Sequence, residues 1–343
     1  MKKGIHRAGH ITLAHGNGGR HMRALITEIF AHHLGNAALD TQCDAATLTF
    51  PQPLAEEQLL FTTDGFTVDP LEFPGGDIGS LAIHGTVNDL AVSGAIPLYF
   101  SLNAFIEEGL AIAQLERIVI SMARAAAACG VKVVTGDTKV VRRGEGSGLY
   151  LATSAIGIKR SSLTLAMSQI KSGDVIIISG SIGDHGTAVM LAREAFGLQG
   201  ALQSDATSVQ PLTDALLKFS GLRFMRDPTR GGLATVLHEI HHATSLGAHL
   251  KQDAIPVRDE VASVCEILGY DPLYLACEGR VVAVIDKHQA SAALDALRAL
   301  PDGRNAAIIG EIASALPYVM LETPLGGQRI IEELEDEPLP RIC

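Results

Sequence analysis

Five aspartates stand at the ends of apolar, strand-sized runs or beside glycine, and this recurrence constrains the fold more than any other feature of the chain. They are Asp44 in Cys43-Asp-Ala-Ala46, Asp64 in Thr62-Thr-Asp-Gly65, Asp89 in Val87-Asn-Asp-Leu90, Asp137 in Thr135-Gly-Asp-Thr-Lys139 and Asp227 in Arg226-Asp-Pro-Thr-Arg-Gly-Gly232. Taken singly, an Asp-Gly pair reads as a turn. Taken together, strands that end in acidic tips would converge carboxylates in one cleft. Clustered carboxylates repel unless cations neutralise them, and hard oxygen ligands suit Mg²⁺, which bridges nucleotide phosphates.

The elements between these aspartates alternate. A Gly-rich loop, Leu13 to Arg20, precedes a helical pattern from Met22 to Leu34. Strand signals at Leu59–Thr63, Ile96–Ile106, Val131–Val134 and Leu149–Ile158 are interleaved with helices over Gly79–Val92 and Leu115–Cys129, the latter capped by Gly130. Two polar stretches, Lys159–Ser162 and Lys171–Asp174, mark a boundary near 160–172. Beyond it come strands at Val175–Ile178, Gly279–Ile285, Ala307–Ile309 and Tyr318–Leu321, and helices at His185–Ala195, Gly231–Thr244 and Lys287–Leu300. The fold class is therefore α+β, two mixed α/β domains: residues 1–160, residues 161–335, and a flexible tail, 336–343, carrying a terminal cysteine. Pro338 and Pro340 prevent a helix from continuing into that tail.

Length supports two domains, since 343 residues exceed one ordinary core. The formal net charge of -11 makes nucleic acid and anionic lipid poor partners. Five cysteines, odd in number and without CxxC spacing, argue against a disulfide framework or structural zinc and fit a reducing cytoplasm. Residues 1–13 lack the apolar core of a signal peptide, and the apolar runs are strand-sized rather than membrane-spanning.

Three further motifs compete for attention. Gly180-Ser-Ile-Gly-Asp-His-Gly186 lies between a strand and a helix and could cradle phosphate, but it lacks the middle glycine of GxGxxG and reads better as a tight turn. No GxxxxGK[ST] occurs. His238-Glu-Ile-His-His242 matches HExxH, the pattern of a zinc hydrolase with Glu239 as base. The apolar face of that helix is Leu233, Val236, Leu237 and Ile240, so His238, Glu239 and His242 are expected largely off it, on a solvated face. Cys343 ends the chain and is no prenylation signal; on an eight-residue stalk reaching about 25 Å when extended it could serve as a nucleophilic carrier, or be incidental.

Thr62-Thr-Asp-Gly65, Asn88-Asp89, Thr135-Gly-Asp-Thr-Lys139, Arg226-Asp-Pro-Thr-Arg-Gly-Gly232 and the ending Pro340-Arg-Ile-Cys343 together resemble the HypE family, in the superfamily of aminoimidazole ribonucleotide synthetase and selenophosphate synthetase. The resemblance runs over nearly the whole chain. It implies a homodimer in which the N-terminal sheets pair into a barrel-like core, with ATP bound under the Gly-rich loop, Gly16, Asn17, Gly18 and Gly19. It implies that a carbamoyltransferase, HypF, loads the terminal Cys343, that ATP dehydrates the S-carboxamide to an S-cyanide, and that the cyanide passes to iron on a HypC–HypD complex for [NiFe]-hydrogenase. By motif position, Asp44, Asp64, Asp89, Asp137 and Asp227 would hold Mg²⁺ or phosphate. Asp64, Asn88, Asp89, Asp137 and Thr138 would contact nucleotide, and Lys139 would stabilise the transferring phosphoryl group. Glu278, in Ala276-Cys-Glu-Gly279, is the candidate base.

Overall fold

The computed structural model describes residues 9–16, 20–37, 39, 57–160, 164–193, 201–314 and 317–334. These fall into two compact units. One holds the chain to Leu90 and again Ala95–Arg160; the other holds Ala91–Gly94 and the chain from Ser161.

In the first unit, short helices α1 (Arg20–Leu25) and α2 (Ala31–Leu34) precede a four-stranded sheet built from β1 (Glu57–Phe66), β4 (Ile96–Glu107), β5 (Lys132–Val141) and β6 (Leu149–Arg160). A small hairpin, β2 (Glu72–Phe73) and β3 (Gly76–Asp77), leads into helix α3 (Ile78–Val92). The strand order is β1-β6-β4-β5, antiparallel except for β4 with β5. That parallel pair needs a crossover, and α4 (Ile112–Ala128) supplies it. Leu115, Ile118, Val119 and Met122 of α4 are buried at helical spacing, and Gly130, at φ 69°, follows the helix end as expected of a left-handed cap. The α3 residues Leu81, Ala82, Ile83 and Val87 are fully buried. Its Thr86 hydroxyl lies 2.6 Å from that of Thr153 on β6, so the helix is tied to the sheet by a polar pair as well as by apolar packing.

The sheet is open. Its edges are β1 and β5, and among the described residues no sheet closes into a barrel, which corrects the expected barrel-like core. Closure requires enough strands with matched tilt and stagger, and four strands in this linear order do not provide it. One side of the sheet is covered and the other is not. Along β6, Leu151, Thr153 and Ala155 are buried while the alternate residues are partly exposed.

The second unit is a seven-stranded sheet in the order β13-β12-β9-β11-β7-β10-β8. Its strands are β7 (Val175–Ile178), β8 (Leu222–Arg226), β9 (Gly247–Lys251), β10 (Val282–Ile285), β11 (Ala307–Ala313), β12 (Val319–Glu322) and β13 (Gln328–Ile330). The helices are α5 (Asp184–Arg193), α6 (Gln210–Leu216), α7 (Gly232–Thr244), α8 (Asp259–Leu268) and α9 (Ala290–Arg298). The inner strands β7 and β10 are wholly apolar because both faces are covered. Ile176 and Ile178 share a core with Leu233, Val236, Leu237 and Ile240 of α7. Ile177 points the other way, into a core with Leu212 and Leu216 of α6 and Ala293 and Leu297 of α9. No helix among the described residues is long and apolar enough to cross a membrane.

Candidate active site

Two of the motif aspartates lie inside regular strands rather than at their tips. Strand β1 continues past Asp64 to Phe66, with Asp64 opposite Thr153 of β6. Strand β5 runs through Asp137 to Val141. Asp64-Gly65 and Gly136-Asp137 read as turns that end their strands, but cross-strand pairing with β6 and β4 carries both strands through them.

This placement sorts the first unit's candidates by face. Phe61 and Thr63 of β1 alternate with Thr62 and Asp64, and the latter pair faces α3. The Thr62 hydroxyl donates to Asp89 Oδ2 at 2.9 Å. Asp64 Oδ1 accepts from the Gly65 amide at 2.7 Å, and its other oxygen lies 3.8 Å from where a Cβ on Gly85 would stand. Gly85 and Asp89 are one turn apart on α3. A Cβ at Gly85 would also meet the Phe66 ring at 3.0 Å, so the absent side chain lets helix and strand approach along the seam that carries both carboxylates. Asn88 is fully buried beside it.

Asp137 and Lys139 occupy the other face. They pair in register with Asn103 and Phe105 of β4, on the side that bears Tyr99, whereas Thr138 lies opposite Ala104 and is buried. Asp137 Oδ1 accepts from the Thr138 amide at 2.8 Å, and Lys139 Nζ is 3.8 Å from Asp137 Oδ2. Both side chains are exposed, so the pair is screened and its partners remain exchangeable. Within one chain, the sheet therefore stands between the Asp64–Asp89 seam and the Asp137–Lys139 pair.

In the second unit Asp227 follows β8 directly and is buried. The next residue, Pro228, accepts from the Cys277 amide at 3.0 Å, which brings the Asp227 and Glu278 segments side by side. Glu278 is almost wholly buried, and its amide donates to Asp205 Oδ1 at 3.2 Å. Around them is a charged core that the sequence reading did not anticipate. Arg280 lies 3.2 Å from Asp184 and 3.4 Å from Asp205, and Arg258 reaches Asp184 at 3.0 Å. Burial pushes the Asp184 carboxyl above its ordinary range, against the pull of the Ser181 hydroxyl and the two arginines. Burial alone would pull the Arg280 guanidinium down, but Asp205 and Asp184 outweigh it and raise it. The only local signal for this core was the arginine that follows Glu278-Gly279.

The Gly180–Gly186 segment is a turn, as read. Ser181 Oγ donates to Asp184 Oδ2 at 2.6 Å across the start of α5, so a phosphate there would meet a carboxylate. Cys277 is fully buried, and burial, with Asp205 adding to it, raises its thiol well above the ordinary value. Cys265 is likewise pushed up to about 11 by burial. These two and the buried Cys129 are small core hydrophobes rather than nucleophiles. In the HExxH segment Glu239 is paired with Arg226 at 3.3 Å, away from any metal-base geometry. His238 departs from expectation: it is only 9% exposed, because the chain returns over it at Ile331. Gly16 closes a short 3₁₀ turn from Leu13. Asn17, Gly18, Gly19, Asp44 and Cys343 lie outside the described residues.

Comparison with known proteins covers both units. The N-terminal domain model of AIR synthase related proteins matches residues 42–159, and the C-terminal domain model matches residues 171–316. The chain is 45% identical to the carbamoyl dehydratase HypE of Azotobacter vinelandii over 98% of each chain. A crystal structure of the hydrogenase maturation protein HypE in complex with ATP superposes with a TM-score of 0.90 at 44% identity, covering 96% of this chain and 99% of that one. A crystal structure of a HypE–HypF complex matches with a TM-score of 0.78 at 41% identity, covering 92% and 100%.

Proposed function

The chain belongs to the AIR synthase related proteins and, within them, to the HypE carbamoyl dehydratases, and from that membership we propose that it uses ATP to dehydrate a carbamoyl group carried on its own Cys343. The observation that carries this reading is the 45% identity across 98% of both chains to a protein of that activity. The product is the cyanide ligand of a hydrogenase active-site iron.

The reaction balances without a redox partner. A thiocarbamate, Cys343–S–C(O)NH₂, and ATP give Cys343–S–C≡N, ADP, phosphate and a proton. The amide oxygen is a poor leaving group; its phosphorylation makes it a good one, and removal of both nitrogen protons with expulsion of phosphate forms the nitrile. The seam of Asp64, Asp89 and the Thr62 hydroxyl is an all-oxygen donor set, which fits Mg²⁺. Mg²⁺, when bound, would neutralise phosphate charge, held by Asp64 and Asp89 with Asp44 and Asp227 as further candidate ligands; Asp137, on the other face of the sheet, could join such a set only toward a second copy. Gly16, Asn17, Gly18 and Gly19, with Asn88 and Thr138, would bind the nucleotide. Lys139 would stabilise the transferring phosphoryl group. Glu278, buried beside the Arg280 core, would take a nitrogen proton in surroundings that keep water from the reactive intermediate.

Residues 1–160 would form the ATP-binding and dimerisation domain, 161–335 the second domain, and 336–343 an arm carrying Cys343 between loading and dehydration. HypF is the proposed loading partner, as the complex formed by a relative suggests, and a HypC–HypD pair the acceptor. The apolar side chains exposed on the open side of the first unit support a homodimer. The acidic charge argues against nucleic acid and anionic lipid as partners, and five cysteines without CxxC spacing support a cytoplasmic protein.

Mass spectrometry of the chain carbamoylated by its transferase tests the reading. Loss of one water from the Cys343 peptide on adding MgATP, and only then, is expected. A folded chain that is never carbamoylated at Cys343, or is loaded and loses no water, would point instead to an ATP-dependent synthetase acting on a free small molecule.

A further inference from the structure

Helix α7 and the chain that returns over it meet at a cluster outside the dehydratase machinery. His238 and His242 are one turn apart on α7 and share a face, with ring centroids 6.3 Å apart. Glu333 comes from 91 residues further on, and both of its carboxylate oxygens lie 3.1 Å from His242 Nε2. One ring nitrogen of each histidine and one oxygen of Glu333 all lie within 4.8 Å of one another.

We propose that His238, His242 and Glu333 form a binding site for a borderline divalent transition metal, of the class of Zn²⁺. Two imidazoles and a carboxylate are a ligand set for such an ion, three protein groups leaving a fourth position for water. Tetrahedral ligation at ordinary bond lengths separates ligand atoms by about 3.3 Å. The cluster therefore needs only side-chain rotation to close on an ion. His238 Nε2 lies 3.1 Å from the Ile331 carbonyl, and a carbonyl only accepts, so Nε2 carries the proton and Nδ1 holds the lone pair. A backbone carbonyl on the far nitrogen is the usual orienting partner of a metal-bound histidine.

This is not the arrangement that the HExxH pattern suggests. Glu239, the base of that pattern, is held by Arg226, and the third ligand arrives from the C-terminal segment instead. The consequence is mechanical. The segment at Ile331–Leu334 is already fixed by the Ile331 amide to Val319 O at 2.9 Å and by the Tyr274 hydroxyl to Glu332 O at 2.8 Å. An ion joining Glu333 to α7 would add a further fastening to residues 331–334, the stretch that precedes the Cys343 segment in the sequence.

The full-length chain carrying Cys343→Ser, which removes the competing terminal thiolate, is titrated with ZnCl₂ against a chromophoric chelator and with CoCl₂ by visible absorption. One metal ion per chain is expected, with cobalt d–d bands and no sulfur-to-cobalt charge transfer. His242→Ala and Glu333→Ala, both at exposed positions, should each weaken binding by at least about tenfold, while Glu239→Gln leaves it unchanged. Absence of stoichiometric binding would overturn the site, as would binding that survives both His242→Ala and Glu333→Ala in chains shown by circular dichroism to be folded. These readouts are independent of dehydratase turnover.

Discussion

Asp89 accepts from the Thr62 hydroxyl at a seam where a second carboxylate stands close by, and that makes the consequences of changing its charge separable from those of changing its shape. In Asp89→Asn the side-chain carbonyl still accepts from the Thr62 hydroxyl, so the link between β1 and α3 survives while the charge is lost. The expected result is a melting temperature close to that of the parent and a loss of about 100-fold in ATP-dependent water removal from carbamoylated Cys343, the range for deleting one preorganised charge at a transferring phosphoryl group. Single-turnover mass spectrometry reads the rate and calorimetry the stability; an unchanged rate would remove Asp89 from the site. Glu278 poses the sharper question, because it is buried beside a charged core rather than at a seam. Glu278→Gln should leave Cys343 carbamoylated in the presence of MgATP, and dehydration at the parent rate would exclude Glu278 as the base.

At the scale of elements, the Arg226–Gly232 motif carries structure as well as chemistry. Gly231 and Gly232 start α7 with φ of 69° and 58°. A Cβ on Gly232 would lie 2.5 Å from the Leu275 carbonyl and 2.7 Å from that of Leu273, so the chain beside the Glu278 segment packs onto bare backbone. Gly232→Ala should therefore destabilise by more than about 3 kcal/mol, strain and clash together. Gly173→Ala, also at positive φ but facing open space, should cost about 1–2 kcal/mol. Urea denaturation of the two variants checks the order, and equal costs would show that the close approach is not what the glycine serves. The same contrast explains what local sequence revealed. The Ile-rich β7 was legible because both of its faces are covered, and α4 because its buried stripe and Gly130 agree. Strands β8 and β9 were not, since two arginines interrupt Leu222, Phe224 and Met225 in one and only Ala248 and Leu250 are apolar in the other. Asp64 and Asp137 lie inside strands rather than at their tips, because an Asp beside Gly reads locally as a turn while the cross-strand pairing that continues through it is not written in the local sequence. The burial of His238 depends on Ile331, and the charged core on Arg280 meeting Asp184 and Asp205, contacts across roughly a hundred residues that no local period encodes.

For the whole molecule the open side of the first unit decides the argument. Leu59, Phe61, Ile96 and Phe105 are large apolar side chains exposed by 40–68%, and the strand register sets Leu59 and Phe61 on one face of β1 and Phe105 on the same side as Tyr99 of β4. An apolar cluster at Leu59, Phe61 and Ile96, with Phe105 further along the same face, calls for a partner, and a second copy presents the same face in return. Asp137 and Lys139 share that side, in register with Asn103 and Phe105, whereas Asp64 and Asp89 do not. A second copy covering the face would desolvate Asp137 and Lys139 and strengthen their electrostatic effect, while an isolated chain leaves them screened in water. Association should then be a condition of catalysis rather than only of stability. Phe61→Asp places a charge at the most exposed aromatic of the patch without disturbing the buried core. Sedimentation should give the monomer mass, with far-ultraviolet circular dichroism unchanged, and ATP-dependent water loss should fall by at least about tenfold. A monomer that dehydrates at the parent rate would separate the open face from the chemistry, and a variant that remains dimeric would place the dimer contact elsewhere.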